Sequence, residues 1–257
     1  MDKQVFVKGI RVLGADGSGI QIDTEALLNY ESVKDKLVCR LVNAERNAES
    51  LANMPHTMIC DLAVTYCVYL GKKDGNIGAV PITNDLMKRY GVSVEELHRD
   101  ALKSMDVVLP AAFKSMTDVM VEMMLPNLVR GGVDEVTAEK MIRSQFPDRM
   151  GVEMYVLTNK ERYRGAAALL SDKAMREVVE SIGSDFFILP SSVHEVIIIK
   201  PDGDASKECF DSLRQMVCEV NGSCVADNEV LSDNVYVYDA GSHKLRLAGA
   251  GVCAQTA

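Results

Sequence analysis

The sequence predicts an α+β protein: a mainly helical N-terminal part with short strands, then a C-terminal part of order ββαββαββ. Three observations predict it. Short runs of β-branched and aromatic residues recur, among them MYVL, FFIL, VIII and VYVY. Segments with helical spacing lie between them; in one, Ala174, Val178, Val179 and Ile182 fall on a single face. Proline, glycine and Asn/Asp/Ser clusters separate the two kinds of segment. Residues 1–130 form the mainly helical part, 131–150 a linker with a short helix, 151–248 the α+β part and 249–257 a tail.

The elements follow in order. Val5 to Leu13 alternates as a strand, and Gly19 to Ile22 returns after a turn at Ala15–Gly19. Asp23 or Thr24 caps a short helix through Leu28. Lys36 to Val42 alternates and reads as strand, with helix as the close alternative. Pro55 opens a strong apolar helix ending at Gly71, with Met58, Leu62, Tyr66 and Tyr69 as its stripe. Gly78 to Thr83 is an edge strand because Pro81 cannot donate to a ladder. Thr83 caps a helix through Tyr90, and Ser93 with Glu96 forms a capping box for the next, to about Met105. This pair resembles a helix-turn-helix, but Glu95, Glu96 and Asp100 at the reading end would face phosphates, which excludes DNA reading. Pro110 and Pro126 bracket a segment in which Met116, Met120, Met123 and Met124 recur at helical spacing, near Phe113 and Val119. Thr137 caps a helix to Phe146.

In the C-terminal part Tyr155 to Leu157 is a strand, and Ala166 to Leu170 is an apolar run readable as strand or helix. Ser171 or Asp172 caps a helix that Gly183 ends. Phe186 to Leu189 and Val193 to Ile199 are strands. Ser206 caps a helix carrying Phe210, Leu213, Met216, Val217 and Val220, ended by Asn221–Gly222. Val235 to Tyr238 and Lys244 to Ala248 form a hairpin. One sheet with two helices on one face accommodates this order.

Charge and composition narrow the function. The net charge of −9 opposes a nucleic-acid backbone as main partner. No segment approaches the ~20 apolar residues that span a bilayer, and the start carries no signal-peptide core. The expected setting is cytoplasmic. Seven cysteines, scattered and without a CxxC pair, read as reduced, buried thiols. The histidines His56, His98, His194 and His243 make no ligand spacing with them, so no metal is expected.

Several stretches carry a resemblance: NAERNAESLANMPH, ITNDLMKRYGVSVEELHRDAL, LTN, GAAALL, LPSSVHEV and VNGSCVADNEVLSDNVYVYD. Together they resemble a bacterial family catalogued as a domain of unknown function (family 5688), found mainly in gut Firmicutes, over roughly residues 33–247. The segment from GAAALL to HEVIII is loosely similar to a second uncharacterised family, the YtpQ-like proteins. The resemblance implies a bacterial cytoplasmic protein and no particular activity. The resemblance implies that family members usually have a longer N-terminal region than the one before Val33.

One constellation carries chemistry: Ser191, Ser192, His194 and Glu195 after the FFIL strand. In an extended chain Ser192 and His194 share a side, as a serine nucleophile and histidine base require. Glu195 would face the other way, so Asp233 or Asn159 would have to orient the ring. No GxSxG elbow, phosphate loop, GxGxxG, HExxH or EF-hand is present. The sequence therefore points to a binding module without catalysis or cofactor, with an unknown protein or small molecule as partner. Its candidate contacts are Met116, Met120, Met123, Asn159, Ser191 and Glu195. The alternatives are a hydrolase using Ser192 and His194, and an acidic protein that counters a DNA-binding or defence factor.

Overall fold

The computed structural model describes residues 9–13, 19–73, 75–145, 153–190, 192–201 and 207–248. The protein is α+β, and the described residues fall into two compact units that divide after Pro110. The turn at Ala15, the Ser206 cap, Ser191 and the tail from Gly249 lie outside the described residues.

In the first unit, β1 (Gly9–Leu13) pairs antiparallel with β2 (Gly19–Asp23). Asp23 then caps α1 (Thr24–Leu27) by accepting from the backbone N–H groups of Glu25 and Ala26. After α2 (Tyr30–Val33) and a 3-10 turn come β3 (Leu37–Asn43), α3 (Ala48–Leu51), β4 (His56–Ile59), β5 (Leu62–Lys73) and β6 (Asn76–Pro81). β5 is the spine: β3 pairs along one side, and β4 then β6 along the other. α4 (Asn84–Tyr90) carries the expected Thr83 cap, and α5 (Val94–Val108) the expected Ser93–Glu96 capping box. α5 packs on β3 and β5.

The β4–β5 hairpin replaces the single helix expected from Pro55 to Gly71. Its turn is Cys60–Asp61, between the paired Ile59 and Leu62, with Cys60 at φ 55. The physical reason lies in β5, where Leu62 to Val68 is buried without a break. A run apolar on every face satisfies a helical stripe by default, and its β-branched and aromatic content decides for strand. Gly71, expected as a helix end, sits at φ 98 where the β5–β6 register shifts. A second correction concerns the thiols: Cys60 is disulfide-bonded, while Cys39 and Cys67 are buried and Cys218 and Cys224 exposed, all four outside any disulfide.

Under α5 the Tyr66 hydroxyl lies 2.6 Å from Thr57 Oγ1 and 3.0 Å from His98 Nδ1. Burial pushes Tyr66 well above the usual phenol range and His98 below the usual imidazole value. The unfolded chain takes up a proton at the ordinary imidazole value, about 6.5, while the folded one resists it. Below that pH the unfolded state holds more protons, so acid favours unfolding. Unfolding free energy is expected to be steady above neutrality and to fall between pH 7 and 5. Urea titrations of wild type and His98→Gln check this: the variant's slope over that range should be shallower, and equal slopes would refute the assignment.

The second unit is a six-stranded antiparallel sheet with order β12-β11-β9-β10-β8-β7. β7 (Ala111–Ser115) runs into α6 (Met116–Arg130) and α7 (Glu135–Gln145). β8 (Met154–Asn159), a 3-10 segment (Gly165–Leu170), α8 (Asp172–Ile182), β9 (Phe186–Leu189) and β10 (Val196–Ile199) follow. α9 (Lys207–Cys224), β11 (Tyr236–Asp239) and β12 (Lys244–Leu247) complete it. The sequence placed Ala111 to Arg130 with the N-terminal part; β7 pairs with β8 and belongs to this sheet.

Three details differ from expectation. Gly165–Leu170 is 3-10 helix and not a second strand, and Gly165 packs so closely on Thr158, Asn159 and His194 that a side chain there would clash. α6 continues through Pro126 to Arg130, and α7 takes Asp134 as its cap, whose carboxylate accepts from Thr137 N–H at 3.0 Å. The helices also cover both sheet faces. Phe210, Leu213 and Val217 of α9 pack on Phe187, Leu189, Ile199 and Val237. On the opposite face Phe186 stacks on Tyr238, which feels the charges of Asp172 and Arg176 on α8. The unbroken FFIL run, buried at all four positions, is the pattern of a strand covered on both sides.

Candidate functional site

The second unit carries a cleft of about 1000 Å³, walled by α6, one face of β7, β8 and β10, and the loop after β8. Ser115 fixes where α6 starts. Its hydroxyl accepts from Asp118 N–H at 3.1 Å and donates to the Asp118 carboxylate at 2.7 Å. Arg143 of α7 reaches the same carboxylate at 2.9 Å. The Ser115 hydroxyl first, and Arg143 second, hold Asp118 below the usual carboxylate range. With that turn anchored, spacings of three and four residues put Met116, Val119, Met120 and Met123 along one side of α6, and all four line the cleft.

The sheet wall follows from register. Ala112 pairs with Thr158, Lys114 with Val156, and Val156 with Ile197, so these five side chains share one face. All of them line the cleft, and Phe113 reaches it as well. The wall is thus mostly apolar, with Lys114 as its one charge.

The loop after β8 makes the lip. Asn159 folds it: Oδ1 accepts from Glu161 N–H at 3.1 Å and Tyr163 N–H at 3.2 Å, and Nδ2 donates to Tyr163 O at 2.8 Å. Arg162 and Arg164 both adopt left-handed backbone, φ 51 and 49, which non-glycine residues seldom do. Backbone held in such regions concentrates at functional sites. The Arg162 guanidinium donates to Glu122 Oε2 at 2.7 Å, while the Lys114 ammonium pairs with Glu122 Oε1. These partners, Lys114 foremost, keep the Glu122 carboxyl below its ordinary range.

The Ser192–His194 corner is built differently from the sequence expectation. The Ser192 hydroxyl donates to Glu195 Oε1 at 3.3 Å and accepts from His194 N–H at 3.0 Å. His194 turns its ring to Glu229, Nε2 to Oε1 at 3.3 Å. Ser192 also forms a bridge with Val230, and Val193 N–H donates to Glu229 O at 2.9 Å, tying the corner to the 226–232 turn. Glu195 therefore does reach Ser192, because the chain turns at 193–194 and is not extended there. Asp233, a candidate orienter, is occupied elsewhere: it accepts from Asn221 Nδ2 at 2.7 Å. The other candidate, Asn159, is spent within its own loop.

Of the predicted contacts, Met116, Met120, Met123, Asn159 and Glu195 line the cleft; Ser192 and His194 do not. Ser191 lies outside the described residues. The Lys114–Glu122–Arg162 cluster escaped the sequence reading. Its members come from a strand, a helix and a distant loop, and no spacing links them. Glu229 escaped as the histidine's partner for the same reason. Among the described residues, no group of three or more His, Cys, Asp or Glu is placed to hold a metal ion, and no helix is long and apolar enough to cross a membrane.

The sequence model of a family of unknown function (DUF5688) matches residues 3–240. No curated protein matches the chain, and no solved structure does.

Proposed function

The chain belongs to the family of unknown function DUF5688, and from that starting point we propose that it is a cytoplasmic bacterial binding protein. It takes a small molecule with an apolar body into the cleft beside α6, without catalysing a reaction on it. One observation carries the reading: three methionines predicted from spacing alone stand along a cleft of about 1000 Å³. That volume is at the upper end of small-molecule sites, which run to roughly 1,000 Å³. Methionine's unbranched, polarizable side chain suits a wall that must adapt to its guest. Glu195, from the polar corner, and Asn159, from the lip loop, border the same space. The absence of catalysis is inferred from the Ser192 hydroxyl, which is directed to Glu195 and not to the imidazole. The Glu229 carboxylate on His194 is the one feature favouring a hydrolase. That reaction would require Ser192 to leave Glu195 and reach the ring.

The test is titration with N-phenyl-1-naphthylamine, a neutral apolar dye. Saturable one-to-one binding is expected in wild type. In Met120→Asp, which buries a carboxylate in an apolar wall, affinity should fall at least about tenfold. Met141→Asp, an exposed position on α7 away from the cleft, should bind as wild type does. Equal dye binding by Met120→Asp and wild type would overturn the reading.

A further inference from the structure

We propose that the cleft selects ligands with an anionic end, a carboxylate on an apolar chain, and that Lys114 and Arg162 are the groups that receive it. This rests on the reading of the cleft as a small-molecule site and goes further by naming the ligand's charge.

Two cations from separate elements converge on one carboxylate, one to each oxygen: Lys114 from β7 and Arg162 from the lip loop, both on Glu122 of α6. One negative charge cannot neutralise two cations, and Lys160 lines the same cleft. Lys114 and Arg162 therefore stand as two cations against one carboxylate. Two donors already arranged around a carboxylate are a preformed acid site, and Glu122 occupies it from within the chain. Glu122 is not locked there, since its side chain is 42% exposed and can swing to water as a ligand acid enters. The apolar chain of that ligand then lies along Met116, Met120, Val156 and Ile197, which line the space beyond. Glu177 and Glu195 also border the cleft and would favour an amine instead. Glu195, however, already accepts from Ser192, and neither carboxylate belongs to a converging pair.

The experiment displaces bound N-phenyl-1-naphthylamine with decanoate, decanol and decylammonium at pH 8, so that chain length is fixed and only the head changes. Decanoate should bind about tenfold tighter than decanol in wild type, with decylammonium weakest, the scale of one charge-assisted contact. Glu122→Gln removes the competing negative charge, so decanoate should tighten about three- to tenfold relative to decanol. Arg162→Met, which leaves Lys114 in place, should weaken decanoate several-fold more than it weakens decanol. Dye binding with equal affinity for all three heads, or with decylammonium the tightest, overturns this inference and leaves the cleft reading standing. A wild type that fails to bind the dye overturns both.

Discussion

Gly165→Ala is expected to destabilise the second unit by about 3 kcal/mol or more, at or beyond the upper end of the usual range for overpacking. A Cβ at Gly165 would sit 2.1 Å from Thr158 Oγ1, 2.6 Å from His194 O and 2.7 Å from Asn159 N. Thr158 could rotate away, but its hydroxyl donates to His194 O at 2.7 Å, and that bond would be lost. The other two atoms are backbone, one at the end of β8 and one in the turn before β10. Asn159 cannot move without displacing its pairing with Ala111, and His194 is tied through Ser192 and Glu229 to the 226–232 turn. The 3-10 segment must therefore lift off the sheet, exposing Ala166 to Leu169, all of them buried. Denaturant unfolding checks this. The double variant Gly165→Ala/Thr158→Ala should recover only part of the loss, since the backbone clashes remain. A Gly165→Ala protein within about 0.5 kcal/mol of wild type would show that the segment is not seated so closely.

The same residues show what the sequence could and could not reveal. α5 and α8 were legible because their signals are local: Ser93 with Glu96, and Ser171 with Gly183, each confirmed as caps. GAAALL was ambiguous because a six-residue apolar run has no period long enough to choose between states. What the fold adds is the packing of Gly165 against Thr158 and His194, a contact invisible along the chain. The β4–β5 hairpin is hidden in the sequence for a related reason. Burial on both sides of β5 removes the alternation that marks a strand, and only residue type remains. The site divides likewise. The methionine side of the cleft is a periodicity within α6, and Glu195 and Asn159 flank recognisable strands. The charged end is not periodic at all, since Lys114, Glu122 and Arg162 meet only once β7, α6 and the lip loop have folded.

Cover on both faces of the sheet predicts that neighbouring phenylalanines belong to separate cores. Phe187 pairs with Ile199 on one side and Val237 on the other, and α9 closes over it. The Phe210 ring meets it edge-on, with centroids 5.3 Å apart and planes at 84°. Phe186 points the opposite way and stacks on Tyr238 at 5.1 Å. Both are buried, at 0% and 2% exposure for Phe186 and Phe187. Phe187→Ala should cost about 3–5 kcal/mol by lost transfer energy and the cavity left behind, and Phe186→Ala a similar amount. Phe187→Leu, which keeps most of the volume, should cost under about 1.5 kcal/mol. A one-sided sheet makes a different forecast: Phe186 would face water, and its truncation would be near neutral. Urea unfolding of the single variants therefore separates the two architectures. A loss for Phe187→Ala with none for Phe186→Ala would remove α8 from the second face.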